Sequence, residues 1–274
     1  MIIDFHTHIF PDKIAAGVIS QLSSKGGITA NTDGTLAGLK KSMRDGGIDA
    51  SVVLPVVTNP KQFDSINTFA AEINGKDGVY SFGGIHPDND NIEAKLDYIK
   101  SLGLKGVKIH PDYQKVFFDD ERYVNIVSHC LKIGLYVTTH AGVDVGYPDP
   151  VHCTPQRIVN LLDKVGESGK PRLILAHTGS FDMWDEVERL LVGRNVYFDL
   201  AFCLDKISTD RLVRIIRNHG CDKILFATDS PWADQKQYRQ LFEALPLTDS
   251  EKEQITYKNA AEILSVKSFK TLTL

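Results

Sequence analysis

What this chain lacks narrows its business first. No uninterrupted apolar run approaches the ~18 residues that a bilayer-crossing helix needs, so a membrane span is not expected. There is no basic block, and the formal net charge is −4. A surface built to hold a phosphate backbone clusters Lys and Arg, so nucleic acid is not an expected partner. The N-terminus has no basic stretch leading into a long apolar core, so no signal peptide is expected and the expected compartment is the cytoplasm. Only four cysteines occur, Cys130, Cys153, Cys203 and Cys221, and no two form a CxxC pair. That excludes a zinc ribbon or a thioredoxin-type centre and leaves free thiols as the expectation. Neither GxGxxG nor GxxxxGK[ST] is present, which removes the usual phosphate-cradling loops.

What is present is a repeating alternation. The 274 residues are 42% hydrophobic and 24% charged, a balance that suits a soluble globular protein. Eight short apolar, β-branched runs fall at residues 2–5, 50–56, 79–85, 105–109, 135–139, 172–176, 195–201 and 223–228. Polar stretches of helical period separate them, at 35–44, 61–73, 92–99, 119–131, 155–162, 181–191 and 209–218, and 235–244 and 249–264 close the chain. Residues 11–31, with Pro11, Gly26-Gly27 and Asn31, read as a long loop. Several of the runs are continuously apolar, as parallel strands covered on both faces should be. No break in composition marks a linker. The expectation is an α/β fold, a single (β/α)8 TIM-barrel domain over residues 1–274 with an extra C-terminal helix. The competing open, doubly wound sheet would carry a glycine-rich turn after an early strand.

The unusual residues collect at one kind of place. His6 and His8, His86, Lys108 and His110, His140, His177 and Asp229 all stand at or just past the C-terminal end of an expected strand. In a barrel those ends share one face, where active sites are built. Six of the nine histidines obey this rule, which scattered surface histidines would not. Alternate strand residues point the same way, so His6 and His8 project together. Imidazole and carboxylate suit a borderline divalent ion, and a catalytic zinc site needs about three protein ligands with a position open to water. His6, His8 and His140 can supply three ligands, and Asp229 can be a ligand, a base toward the water, or both. Such an ion brings the pKa of its water towards ~7.

Five motifs occur in order: DFHTH, GVKIHP, TTHAG, LAHTG and FATDSPW, with KNAAEIL near the C-terminus. In these the chain resembles the amidohydrolase superfamily, and within it the amidohydrolase-related branch of metal-dependent hydrolases and decarboxylases, which includes aminocarboxymuconate-semialdehyde decarboxylase. The resemblance spans nearly the whole chain. It implies that His6, His8, His140 and Asp229 are the metal ligands. It implies that His177 either polarises the substrate or binds a second metal. Lys108 falls where some members carry a carboxylated lysine bridging two metals; a lysine paired with a carboxylate is the favoured alternative. One Zn²⁺ or Mn²⁺ per chain is therefore expected ahead of two. Homo-oligomers, often homodimers, are frequent among such relatives.

Around this core, His110 either contacts substrate or supports a ligand, His86 either lines the mouth or caps its strand, and Trp232 is a candidate pocket wall. Trp184 is expected to pack a helix, Arg157 to lie on a solvated face, and Cys203 to be structural. Asp144, Asp149 and His152 lie in a proline-rich loop long enough to cover a site. The expected function is hydrolysis of a small amide, lactone or cyclic ester, with Asp229 moving a proton and His177 stabilising charge on the substrate oxygen. The alternative is non-oxidative decarboxylation of an unsaturated or aromatic acid. A barrel keeping a metal for structural purposes is the reading outside enzymology, and such sites are coordinatively closed.

Overall fold

The structure, a computed structural model, describes residues 1–147 and 149–266. Pro148, in the proline-rich loop, lies outside them. In chain order the elements are β1 (Ile3–Thr7), α1 (Asp12–Gly26), α2 (Leu36–Gly46), β2 (Ala50–Val53), α3 (Phe63–Ile73), β3 (Val79–Ser81), β4 (Gly83–Gly84), α4 (Ile92–Ser101), β5 (Gly106–Ile109), α5 (Pro111–Gln114), α6 (Glu121–Ile133), β6 (Tyr136–Thr139), α7 (Pro155–Val165), β7 (Leu173–Leu175), α8 (Trp184–Leu190), β8 (Tyr197–Asp199), α9 (Thr209–His219), β9 (Ile224–Leu225), α10 (Gln235–Glu243), α11 (Asp249–Glu253) and α12 (Asn259–Leu264). Among the described residues no helix is long and apolar enough to cross a membrane. The described residues divide into two compact units, one drawn from residues 1–53, 75–80 and 199–266 and the other from residues 54–74 and 81–198.

The first unit is built on β1. All five of its residues are buried. β2 pairs with it in parallel, with a register shift between Asp4 and Thr7. Its other side is taken by the chain that follows β9. Phe5 N donates to Phe226 O at 2.9 Å, Asp229 N to His6 O at 2.8 Å and His8 N to Ser230 O at 2.6 Å. This pairing is what carries Asp229 to the end of β1. Asp4 is fully buried, and burial pushes its carboxyl up to about 6. Four donors oppose that push: His6 N, Thr228 N, Thr228 Oγ1 and Gln235 Nε2, at 3.2, 2.9, 2.5 and 2.7 Å. A buried carboxylate needs such partners. Here they also fasten residues 228–235 to β1.

The first unit departs from the sequence reading at residues 11–31. Residues 12–26 form a helix, α1, not a loop. Pro11 stands at its N-cap, and Gly27 ends it in the left-handed region at φ 63°. The two loop signals are thus the start and stop of a helix: the proline stands just before its first residue, and a left-handed glycine is a common helix end. α1 buries only Ala15 fully. α2 follows the expected pattern, with Thr35 accepting from Gly38 N as the cap and Leu39 and Met43 buried. The expected closing helix over 249–264 is interrupted by a π turn, Gln254–Lys258, between α11 and α12.

In the second unit, β4, β5, β6, β7 and β8 follow one another as parallel neighbours. Lys108 pairs with Thr138, and Thr139 with Leu175. The strands are buried throughout, which explains their continuous apolar runs. The third expected strand is split at Phe82 into β3 and β4. The Phe82 ring presses on β5, where a Cβ at Gly106 would stand 2.5 Å from it, so only glycine fits. The expected strand at 195–201 is shorter, ending at Asp199. One short helix, α5, was not expected. Gln114 pins it: its Nε2 donates to Val57 O and Ile85 O, each at 2.8 Å, and its Oε1 accepts from His110 N and the Tyr123 hydroxyl.

Candidate functional site

The first unit brings His6, His8 and Asp229 together. His6 Nε2 lies 3.2 Å from His8 Nε2, and Asp229 Oδ1 lies 3.4 Å from the first and 3.1 Å from the second. These are the separations expected of ligand atoms each ~2.0–2.2 Å from one ion, which stand about 3.3 Å apart in tetrahedral arrangement. The donor chemistry fits as well. His6 Nδ1 faces the fully buried Asp199 Oδ2 at 2.8 Å. A carboxylate only accepts, so the proton sits on Nδ1 and Nε2 carries a lone pair toward the cluster. A histidine whose far nitrogen donates to a carboxylate is the usual arrangement for a metal ligand. His6, His8 and Asp229 can therefore hold a divalent ion. Asp229 has φ 74°, a left-handed backbone, and Trp232 N donates to its carbonyl at 2.8 Å. Trp232 itself is half-buried.

The second unit brings together His110, His140, Asp144 and His177, all buried. His177 Nε2 lies 3.0 Å from His140 Nδ1. The His110 ring is sandwiched, with Tyr113 at 4.0 Å on one side and His140 at 4.3 Å on the other. His110 Nε2 faces Asp144 Oδ2 at 3.5 Å. The three donors His110, His140 and Asp144 lie close enough to suggest an ion. Their geometry argues against one: the two imidazole planes are 8° from parallel, and stacked rings cannot aim in-plane lone pairs at one point. Burial, with His110 and His177 adding to it, pushes the His140 pKa well below its usual value, so this imidazole is neutral. Its Nε2 faces Asp112 Oδ2 at 3.9 Å, and neither buried atom has a hydrogen-bond partner. Burial pushes Asp112 up, against bonds from His152 N and Nδ1, each at 3.0 Å.

Of the four residues expected as metal ligands, three thus meet in the first unit, and His140 belongs to the second, beside His177. Lys108 is buried on β5 of the second unit. His86 caps its strand: its Nδ1 accepts from Asp88 N, its own N donates to Asn89 Oδ1, and burial lowers its pKa. Trp184 is buried and donates to His177 O at 3.3 Å. Arg157 pairs with Asp119 at 2.6 Å and lies over the Phe117 ring rather than on an open face. Cys203 is buried against Leu200 O. Asp199, Asp112 and Tyr113 are the residues that sequence reasoning missed. Asp199 stands at a strand end like the others, and an accurate end for β8 would have found it.

A family model for amidohydrolases matches residues 3–266. No curated protein matches the sequence. Among solved structures, an uncharacterised TIM-barrel protein of Bordetella bronchiseptica is similar at 18% identity, over 96% of this chain and 98% of that one, with TM-score 0.74. A 2,6-dihydroxybenzoate decarboxylase from Rhizobium is similar at 17% identity, over 96% and 98%, with TM-score 0.67. A 5-carboxyvanillate decarboxylase from Novosphingobium aromaticivorans, with bound manganese, is similar at 14% identity, over 97% of each chain, with TM-score 0.73. At these identities the likeness establishes the α/β fold of TIM-barrel class. By the match along nearly its whole length, the chain belongs to the amidohydrolase family.

Proposed function

We propose that this chain is a metal-dependent hydrolase of a small amide, lactone or cyclic ester, using one divalent ion, Zn²⁺ or Mn²⁺, at His6, His8 and Asp229. The observation that carries the reading is the triangle of two imidazole nitrogens and one carboxylate oxygen with edges of 3.1–3.4 Å. When bound, the ion supplies Lewis-acid polarisation and acidifies water towards a pKa of ~7. The remaining work belongs to the protein. His6 and His8 offer nitrogen ligands. Asp229 is held at the cluster by its backbone bond to β1, and its carboxylate takes a proton and returns it to the leaving group.

The second reading, non-oxidative decarboxylation of an aromatic or unsaturated acid, draws support from the two decarboxylases of similar fold. One experiment addresses both. The protein is purified without added metal, analysed for elements, and offered lactones, cyclic amides and hydroxybenzoates while CO₂ release is followed. About one divalent ion per chain with ring opening supports hydrolysis. CO₂ release without hydrolysis moves the reading to decarboxylation. A metal-free chain indifferent to added Zn²⁺ or Mn²⁺ removes both. On the substrate so found, Asp229→Asn is expected to leave a folded protein with turnover reduced at least ~100-fold. Full turnover in that variant would overturn the role given to Asp229.

A further inference from the structure

Asp199 takes none of the steps proposed above, yet it is a fully buried carboxylate whose two oxygens do different work. Oδ1 accepts from Ala201 N at 3.1 Å, two residues on, which fixes the carboxylate against its own backbone. Oδ2 meets His6 Nδ1 at 2.8 Å. We propose that Asp199 is a positioning residue which, by keeping the proton of His6 on Nδ1, sets the affinity of the His6–His8–Asp229 group for a divalent cation. The proposal rests on the ion-binding reading given above.

The physical argument is one of tautomers. Neutral imidazole has one proton for two nitrogens, and only the bare nitrogen can bind a cation. Asp199 can accept but not donate, so it selects the form with Nε2 bare. His6 Nε2 is the atom that stands 3.2 Å from His8 Nε2 and 3.4 Å from Asp229 Oδ1. In the other tautomer a proton would occupy the ligand position. The buried negative charge also makes the imidazole more basic, which strengthens it as a ligand. A purely structural pairing would need only some hydrogen bond between β1 and the end of β8, and the direction of the proton would not matter.

Asparagine separates the two accounts. Its side chain is nearly the same size, but its amide can donate to Nδ1 and so favour the proton on Nε2. The test uses the full chain. In the ion-free parent, nitrogen-15 NMR of the histidine rings should find His6 protonated on Nδ1, and in Asp199→Asn the Nε2-protonated form should gain. Co²⁺ is then titrated against a chromophoric chelator, with its visible absorption recorded. The parent should bind one ion, and Asp199→Asn should bind it ~10–100-fold more weakly with an altered spectrum. An affinity within twofold of the parent, with an unchanged spectrum, overturns the proposal and leaves the ion-binding reading intact. A parent that takes up no Co²⁺ overturns that reading, and this proposal with it. The NMR measurement on the unmutated chain decides even if the variant does not fold: His6 protonated on Nε2 there overturns the proposal.

Discussion

His177, Thr178 and Asp229 hold backbone angles that residues with side chains rarely adopt, φ 63°, 56° and 74°. Each costs on the order of 1–3 kcal/mol, and such strain collects where a side chain must be aimed. Thr178 is the most costly in kind, because a β-branched residue is poorly suited to the left-handed region. Elsewhere single residues simply stabilise. Asp120 caps α6 by accepting from Arg122 N at 3.0 Å, and its carboxylate also binds the Arg122 side chain. The Arg122 side chain, then its backbone N–H, hold the Asp120 carboxyl down to about 2. The folded value lies below the usual 3.8, so this stabilisation is complete above about pH 4 and disappears as pH falls toward 2. Asp120→Ala is expected to cost ~1 kcal/mol in urea unfolding at pH 7. The gap between variant and parent should close near pH 2; an unchanged gap there would contradict the assignment.

Helices of similar length contribute unequally. α2 fully buries Leu39, whereas Leu22 of α1 is only half-buried. Leu39→Ala is therefore expected to cost ~2–5 kcal/mol and Leu22→Ala below about 1 kcal/mol, read as shifts in denaturant midpoint. Comparable losses would mean that α1 is packed as firmly as α2. The same contrast shows what the sequence makes legible. α2 has a capping threonine, an apolar stripe and a glycine stop, all agreeing. α1 has an apolar stripe too, at Ile14, Val18, Ile19 and Leu22, but its flanking Pro11 and Gly26-Gly27 resemble loop punctuation. Composition cannot distinguish a proline that starts a helix from one that breaks a chain. His6 and His8 were legible because strand geometry makes their side chains neighbours. Asp199 was not, because the apolar run continues through Leu200 and Ala201 and conceals where β8 ends. The stacking of His110 between Tyr113 and His140 depends on α5, whose four residues are too few to give a period.

At the scale of the whole molecule, the ion proposed at His6, His8 and Asp229 would link occupancy to folding. A ligand that binds only the folded chain adds about 2.7 kcal/mol at a hundred times its Kd. Stripping with a chelator should therefore lower the melting temperature, and Zn²⁺ or Mn²⁺ should restore it. A melting temperature indifferent to both would show that the ion contributes nothing to the fold. The architecture also imposes an order in time. Asp4, which sits two residues before His6, is bonded to Thr228, 224 residues away. At ~5–20 residues per second, a ribosome releases the second partner roughly 10–45 s after the first. Through that interval β1 exists without the segment that flanks it, its buried aspartate lacking three of its four donors and its histidine pair lacking Asp229. The amino-terminal strand is thus made first and completed last, and a nascent chain halted before residue 228 should hold no ion at this group.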